Sequence, residues 1–235
     1  MQLLNIYQCK KFKLFLFLNF FSLLKSENIK HYLPNILKIL FTRLSNKKTG
    51  KYVKCMVLFF SLFVVKFGGD ALIQSLDGVQ NGLFNMFCGL WIEHLQKITG
   101  TIPRKLCGLA IVKLLCETQL MNSPSNLELY HQFLLGLLKL LELPEEATVD
   151  DDDDEFAQEY HVKFSKLSFA SSSQDDITNQ FPNVKIYLAK SLNASLSNDQ
   201  YKKLFSPAIS KLDGNVLNVL ASYFVDEKLN PNILK

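Results

Sequence analysis

The chain is 235 residues long, 48% hydrophobic and 20% charged, with 26 Lys and Arg against 22 Asp and Glu and a formal net charge of +4. That apolar share excludes intrinsic disorder over most of the length, because enough surface can be buried to offset the entropy of ordering. Ten glycines and seven prolines are too few for a collagenous or low-complexity chain, and fewer than a turn-rich β-sandwich needs.

At the N-terminus, Lys10, Lys11 and Lys13 precede an apolar run from Leu14 to Leu24, interrupted by Asn19 and Ser22. The pattern resembles a secretory signal, yet Lys25, Ser26 and Glu27 follow in place of a small-residue cleavage site. The run is also shorter than the ~20 apolar residues that a bilayer-spanning helix needs. Residues 1–24 are therefore set apart as an atypical apolar leader. Taken alone, they would suggest a signal-bearing secretory or membrane-associated helical protein. The apolar run Cys55 to Val65, bracketed by Lys54 and Lys66, is again too short to span and reads as a buried helix. No membrane insertion is expected.

Helical signals then succeed one another with short breaks. His31 to Asn46 carries Leu33, Ile36, Leu37, Leu40 and Leu44 at helical spacing. Lys47-Lys48-Thr49-Gly50 separates it from a helix over Lys51 to Lys66, which Gly68-Gly69 stops. A shorter segment, Asp70 to Leu76, leads through Asp77-Gly78 into a helix over Gln80 to Ile98 that Gly100 ends. Pro103 sits near the start of the next, which the pattern carries to about Gln119. Ser125 and Glu128 stand at capping-box spacing before an apolar stripe from Leu127 to Leu141, closed by Pro144. Residues 25–143 form one repeat region on this reading.

Past Leu143 the character changes. Glu145, Glu146, Asp150, Asp151, Asp152, Asp153, Asp154 and Glu155 fall within eleven residues. With 26 basic residues against the remaining 14 acids, the rest of the chain carries +12. Such a run of like charge reads as a solvated acidic loop over residues 144–160. Further helices are predicted within 161–235, over Asn183 to Leu196, Asp199 to Ile209 and Asn215 to Leu229.

No sustained period-two alternation occurs, so the fold class is all-α. The helices are apolar around most of their circumference, which requires cover on more than one side. A HEAT-repeat or armadillo-like α-solenoid of stacked antiparallel helix pairs supplies that cover. The basic start Lys51-Tyr-Val-Lys-Cys55 is echoed by Arg104-Lys105-Leu106-Cys107 about fifty residues later, near the period of HEAT repeats.

No catalytic constellation is present in the pattern, and neither enzymatic activity nor a cofactor is expected. Lys48-Thr49-Gly50-Lys51 lacks the flanking residues of a phosphate loop. The four histidines are scattered, and the consecutive aspartates lack the alternation of a calcium loop, so no metal is expected either. Five cysteines without a C-x-x-C pair point to a reducing compartment. Two charged features remain for partners. Arg43, Lys47, Lys48, Lys51 and Lys54 cluster around one interhelical turn, either as a solvated turn or as a contact for an acidic protein surface. A nucleic acid would need such a patch repeated along a face, and none is expected. The acidic loop is a solubilising linker or a contact for a basic partner.

The stretch Leu40-Phe-Thr-Arg-Leu-Ser-Asn-Lys-Lys-Thr-Gly-Lys-Tyr-Val-Lys54 resembles the C-terminal region of the CAS exportins, the importin-α re-exporters of the importin-β superfamily. The resemblance continues through Phe63-Val-Val-Lys-Phe-Gly68, Leu76-Asp-Gly-Val-Gln80, Gln96-Lys-Ile-Thr-Gly100 and Lys113-Leu-Leu-Cys-Glu-Thr118. It extends to Leu141-Glu-Leu-Pro-Glu-Glu146, Phe164-Ser-Lys-Leu-Ser-Phe-Ala170 and Ile186-Tyr-Leu-Ala-Lys-Ser-Leu192. Together these cover roughly Lys30 to Leu229 and leave the leader unmatched. The resemblance implies HEAT repeats and a role in returning importin-α from nucleus to cytoplasm with GTP-bound Ran, hence shuttling across the nuclear envelope. Family members are much longer, and the N-terminal arch that supplies their main Ran contacts is absent from these residues, so Ran affinity is expected to be weak or absent. A generic HEAT or armadillo scaffold with another protein ligand is the alternative.

Overall fold

The computed structural model describes residues 31–121, 123–144 and 177–234. Among them run nine α-helices: α1 (Leu33–Asn46), α2 (Gly50–Phe67), α3 (Gly69–Asp77), α4 (Leu83–Leu95), α5 (Thr101–Cys116), α6 (Leu127–Leu141), α7 (Val184–Leu196), α8 (Asp199–Ser210) and α9 (Gly214–Asp226). Short 3₁₀ turns occupy Pro124–Asn126, Ile177–Gln180 and Pro231–Leu234, and no strand occurs among the described residues. Leader residues 1–24 and the acidic residues Glu145–Glu155 lie outside the described residues, as does the apolar stretch from Phe164 to Phe169.

Local chemistry sets the helix ends. The Thr49 side chain accepts from the Tyr52 amide to cap α2. Asn183 and Asn198 do the same for α7 and α8, accepting from the Lys185 and Gln200 amides. Gly68 has φ +90°, a conformation that glycine adopts without penalty, and it both ends α2 and begins α3.

Eleven of the eighteen residues of α2 are buried, so the helix needs cover on several sides. It packs on α5, α4 and α3. Helices α2, α5 and α7 run parallel, side by side, as the first layer. Ser61 Oγ lies 3.4 Å from Cys107 Sγ, and Ser195 Oγ donates to the Cys116 carbonyl at 3.4 Å. Helices α4 and α6 are the parallel second layer. There Trp91 meets Phe133 edge-on at 5.8 Å, and Gln96 Nε2 donates to the Gly136 carbonyl at 2.9 Å. Contacts of α2 with α4 and of α5 with α6 tie the layers together. At one end, Phe41 of α1 reaches Phe60 of α2 and Phe87 of α4. At the other, Phe205 of α8 stacks on Tyr130 of α6 at 4.2 Å, and α9 packs on α7 and α6. The result is an all-helical solenoid of stacked pairs. The two basic starts that echo each other in sequence belong to α2 and α5, neighbours in one layer.

Several boundaries differ from the sequence pattern, each for a tertiary reason. Helix α5 stops at Cys116 instead of about Gln119, because the Asp70 carboxylate accepts the amides of Gln119 and Leu120 (3.1 and 2.8 Å) and draws the chain off the helical path. Helix α4 starts at Leu83, after Gly82 at φ +77°, with Asp77 Oδ1 accepting from the Phe84 amide. The capping box does not form. Pro124 opens a 3₁₀ turn, Ser125 Oγ pairs with Ser123 Oγ, and the Glu128 carboxylate accepts from Gln132 and Lys211. At the last helix, α9 ends at Asp226, just before Lys228 at φ 59°.

Small residues set the spacing of the layers. A Cβ on Gly69 would lie 2.0 Å from Thr118 Oγ1, which is itself fixed by donating to the Lys113 carbonyl. A Cβ on exposed Gly89, in the middle of α4, would meet no other described group within 4 Å. The same substitution should therefore act in opposite directions: Gly69→Ala is expected to destabilise by about 1–3 kcal/mol through overpacking. Gly89→Ala should stabilise by about 0.5–1 kcal/mol through helix propensity. Denaturant unfolding of the two variants checks the pair, and equal signs would contradict the packing described.

Candidate interaction surface

The turn between α1 and α2 is organised by Tyr52. Its ring is buried, its hydroxyl donates to the Leu40 carbonyl at 2.9 Å, and the Arg43 guanidinium lies 4.6 Å from the ring centroid. Burial pushes the Tyr52 phenol up to about 12, with Arg43 acting in the opposite sense. Lys47 leaves α1 in an extended conformation, its amide donating to the Arg43 carbonyl. Lys47, Lys48 and Lys51 are exposed, and Lys54 is half-buried. Beneath them, burial raises the Cys55 thiol while Arg43, Lys51 and Lys54 each pull it back, which places all three cations around one sulfur. The five basic residues singled out in the sequence do come together.

The cluster also continues where contiguous sequence gave no sign of it. Lys48 reaches Glu93 of α4 at 3.8 Å, an exposed pair worth less than ~1 kcal/mol but one that joins the turn to the end of α4. Lys97 lies exposed one turn further on. Because α5 runs parallel to α2, its own basic start faces the same way. Arg104 Nε donates to the Ile98 carbonyl at 3.0 Å and Nη1 to the Pro144 carbonyl at 2.8 Å, while Lys105 Nζ donates to the Phe181 carbonyl at 3.3 Å. Next along, Lys185 of α7 bonds Glu142 at 2.8 Å, and Tyr223 of α9 donates to the same carboxylate. These two bonds, Lys185 first, hold the Glu142 carboxyl below its usual range. One rim of the solenoid is thus predominantly basic. The fifty-residue echo was the one signal that could have found its second half.

The opposite rim mixes its charges. Lys113 pairs with Glu117 and Lys211 with Glu128. A shallow groove of about 300 Å³ lies there, lined by Ile73, Gln74, Asp77, Phe84, Asn85, Leu120 and Asn126. Among the described residues, no group of three or more His, Cys, Asp or Glu is placed to hold a metal ion, and no helix is long and apolar enough to cross a membrane.

The family profile described as "CAS/CSE protein, C-terminus" matches residues 3–223. That match starts far ahead of Lys30 and takes in most of the leader, which the resemblance left unmatched. Exportin-2 of Homo sapiens is 34% identical over 203 residues, covering 84% of this chain and 21% of the relative. Exportin-2 of Xenopus laevis is 35% identical over 206 residues, covering 85% and 21%. The chain spans about a fifth of the length of these relatives. The solved structure of "the exportin Cse1 in its cargo-free, cytoplasmic state" superposes with a TM-score of 0.66 at 24% identity, over 90% of this chain and 22% of that one. It has the same helical solenoid fold.

Tyr52 gives this corner a pH signature. A phenol whose folded pKa lies above its unfolded value of ~10 contributes stability that is intact below pH ~10 and lost as pH rises towards about 12. Tyr52→Phe is therefore expected to flatten the alkaline fall in stability over that window. At neutral pH it should cost about 0.5–1.5 kcal/mol for the lost bond to Leu40. Unfolding free energies measured from pH 7 to 12 for both proteins decide it, and superimposable alkaline slopes would refute the assignment.

Proposed function

The chain belongs to the CAS/CSE family, and we propose that it works as the C-terminal HEAT-repeat segment of a nuclear export receptor, acting by protein binding and not by catalysis. The observation that carries this reading is the match to Exportin-2 over 84% of the chain, joined to a helical solenoid that superposes on an exportin. In the finer reading, the cargo is importin-α, returned from nucleus to cytoplasm together with GTP-bound Ran, and the protein shuttles between the two compartments. On this reading, affinity for GTP-bound Ran is weak or absent unless an N-terminal arch is supplied. The surfaces assigned to partners are the basic turn of Arg43, Lys47, Lys48, Lys51 and Lys54, suited to an acidic protein surface, and the acidic stretch from Glu145 to Glu155, suited to a basic segment of importin-α. The gathering of Arg43, Lys51 and Lys54 around Cys55, with Lys47 and Lys48 exposed in the adjoining turn, supports the first of these assignments.

The test is direct capture. The immobilised chain should retain purified importin-α, and retention should rise when GTP-loaded Ran and an N-terminal arch from an Exportin-2 relative are supplied together. If neither protein is retained even then, the chain is a helical scaffold for a different ligand.

A further inference from the structure

We propose that the basic rim built by the starts of α2 and α5 is a surface for an acidic peptide, and that its occupant is the chain's own stretch Glu145–Glu155. The first ground is charge. To the five cations of the α1–α2 turn the rim adds Lys97, Arg104 and Lys105, while residues 43–54 and 94–116 contain no carboxylate and Glu93, which pairs with Lys48, stands at their border. The parallel N-termini of α2 and α5 add the positive ends of their peptide dipoles to the same side. Eight acids in eleven residues match those eight cations in number.

The second ground is attachment. The described chain departs at Pro144, whose carbonyl is held by Arg104 at 2.8 Å. It resumes at Ile177, and four residues further on the Phe181 carbonyl is held by Lys105 at 3.3 Å. Both ends of the intervening stretch are therefore fastened to the rim by two of its own basic residues. Asp150 follows Pro144 by six residues, a reach of up to ~20 Å, and neighbouring packed helices lie ~8–10 Å apart. The aspartates can therefore reach the α2 turn. Single exposed pairs are weak, but a short connection places the acids at an effective concentration on the order of millimolar. The opposite rim mixes Lys113 and Lys211 with Glu117 and Glu128 and carries no comparable run of basic residues among those described. The inference does not depend on the transport reading; any partner of either surface would have to displace this internal contact.

A labelled synthetic peptide with the sequence of residues 145–155 tests it, added to the whole chain at low ionic strength. Occupancy of the rim for four-fifths of the time would weaken the apparent affinity for the added peptide about fivefold. A chain in which Asp150, Asp151, Asp152, Asp153 and Asp154 are all replaced by Asn should therefore bind the peptide about fivefold more tightly than the wild type. Adding Lys47→Glu and Lys97→Glu, both at exposed positions, should abolish that gain while far-UV circular dichroism stays unchanged. Equal affinity of the wild-type and neutralised chains would overturn self-occupation, and absence of binding to both would overturn the acidic-peptide surface itself.

Discussion

The contact between α2 and α5 is the one on which the rest of the arrangement depends. Both helices are apolar around most of their girth, so each needs neighbours on several sides, and each is the other's principal neighbour in the first layer. The contact of Ser61 with Cys107, and the close approach of Gly69 to Thr118 just past the ends of the two helices, fix their relative height in the parallel arrangement. The same device recurs at the next interfaces, where Gly108 faces Val184 of α7 and Gly136 faces Leu95 of α4. Each glycine admits a neighbouring side chain into the place of its missing Cβ. Burial at roughly 25 cal/mol per Å² along such interfaces outweighs exposed ion pairs worth ~0–1 kcal/mol each, so packing sets the register and the charges follow from it.

Buried polar groups were resolved in different ways in this core. Tyr52 finds the Leu40 carbonyl and His94 Nδ1 lies 3.1 Å from that of Leu90, whereas Trp91 Nε1 and Tyr130 Oη are buried without a hydrogen-bond partner among the described residues. Both groups belong to large rings in the second layer, where the edge-on contact of Trp91 with Phe133 and the stacking of Tyr130 on Phe205 accompany apolar burial large enough to tolerate a lost hydrogen bond. The cysteines follow the same logic. Burial pushes Cys107 and Cys116 up to about 12, against the bonds from Ser61 and Ser195. A thiol so far from ionising is a packing element, not a nucleophile.

What could be read in advance depended on whether a feature is decided locally. Helices α1 and α2 were legible because apolar spacing and the Gly68-Gly69 stop lie within the segments themselves. The start of α7 was legible because Asn183 caps it from the adjacent position. The end of α5 was not, since the carboxylate that ends it belongs to Asp70, about fifty residues earlier. The supposed capping box failed for a similar reason: Glu128 has a better use as a partner for Lys211, a residue from the far side of α8. Of the basic rim, the five residues around one turn were visible because they are neighbours in sequence. Lys97, Arg104 and Lys105 join them only through the parallel stacking of two helices, which no local pattern reveals.

A stack of this kind is quasi-one-dimensional, each helix pair touching only its neighbours, so surface character accumulates by repetition along the stack. Two helices that begin with basic residues and lie parallel must present those residues on one rim, whatever the rest of the chain does. The residues that create the rim are therefore separable from those that create the fold. Lys47, Lys48, Lys51 and Lys97 are exposed, whereas Val53, Met56, Cys107 and Ala110 behind them are fully buried. Changing the first group alters long-range attraction, and with it salt dependence and association rate, at little cost in stability. Changing the second alters the register of α2 on α5, and through the register it displaces the rim as well. The charge pattern of this rim is in that sense a consequence of helix packing: the small residues that let the layers approach also align the charges.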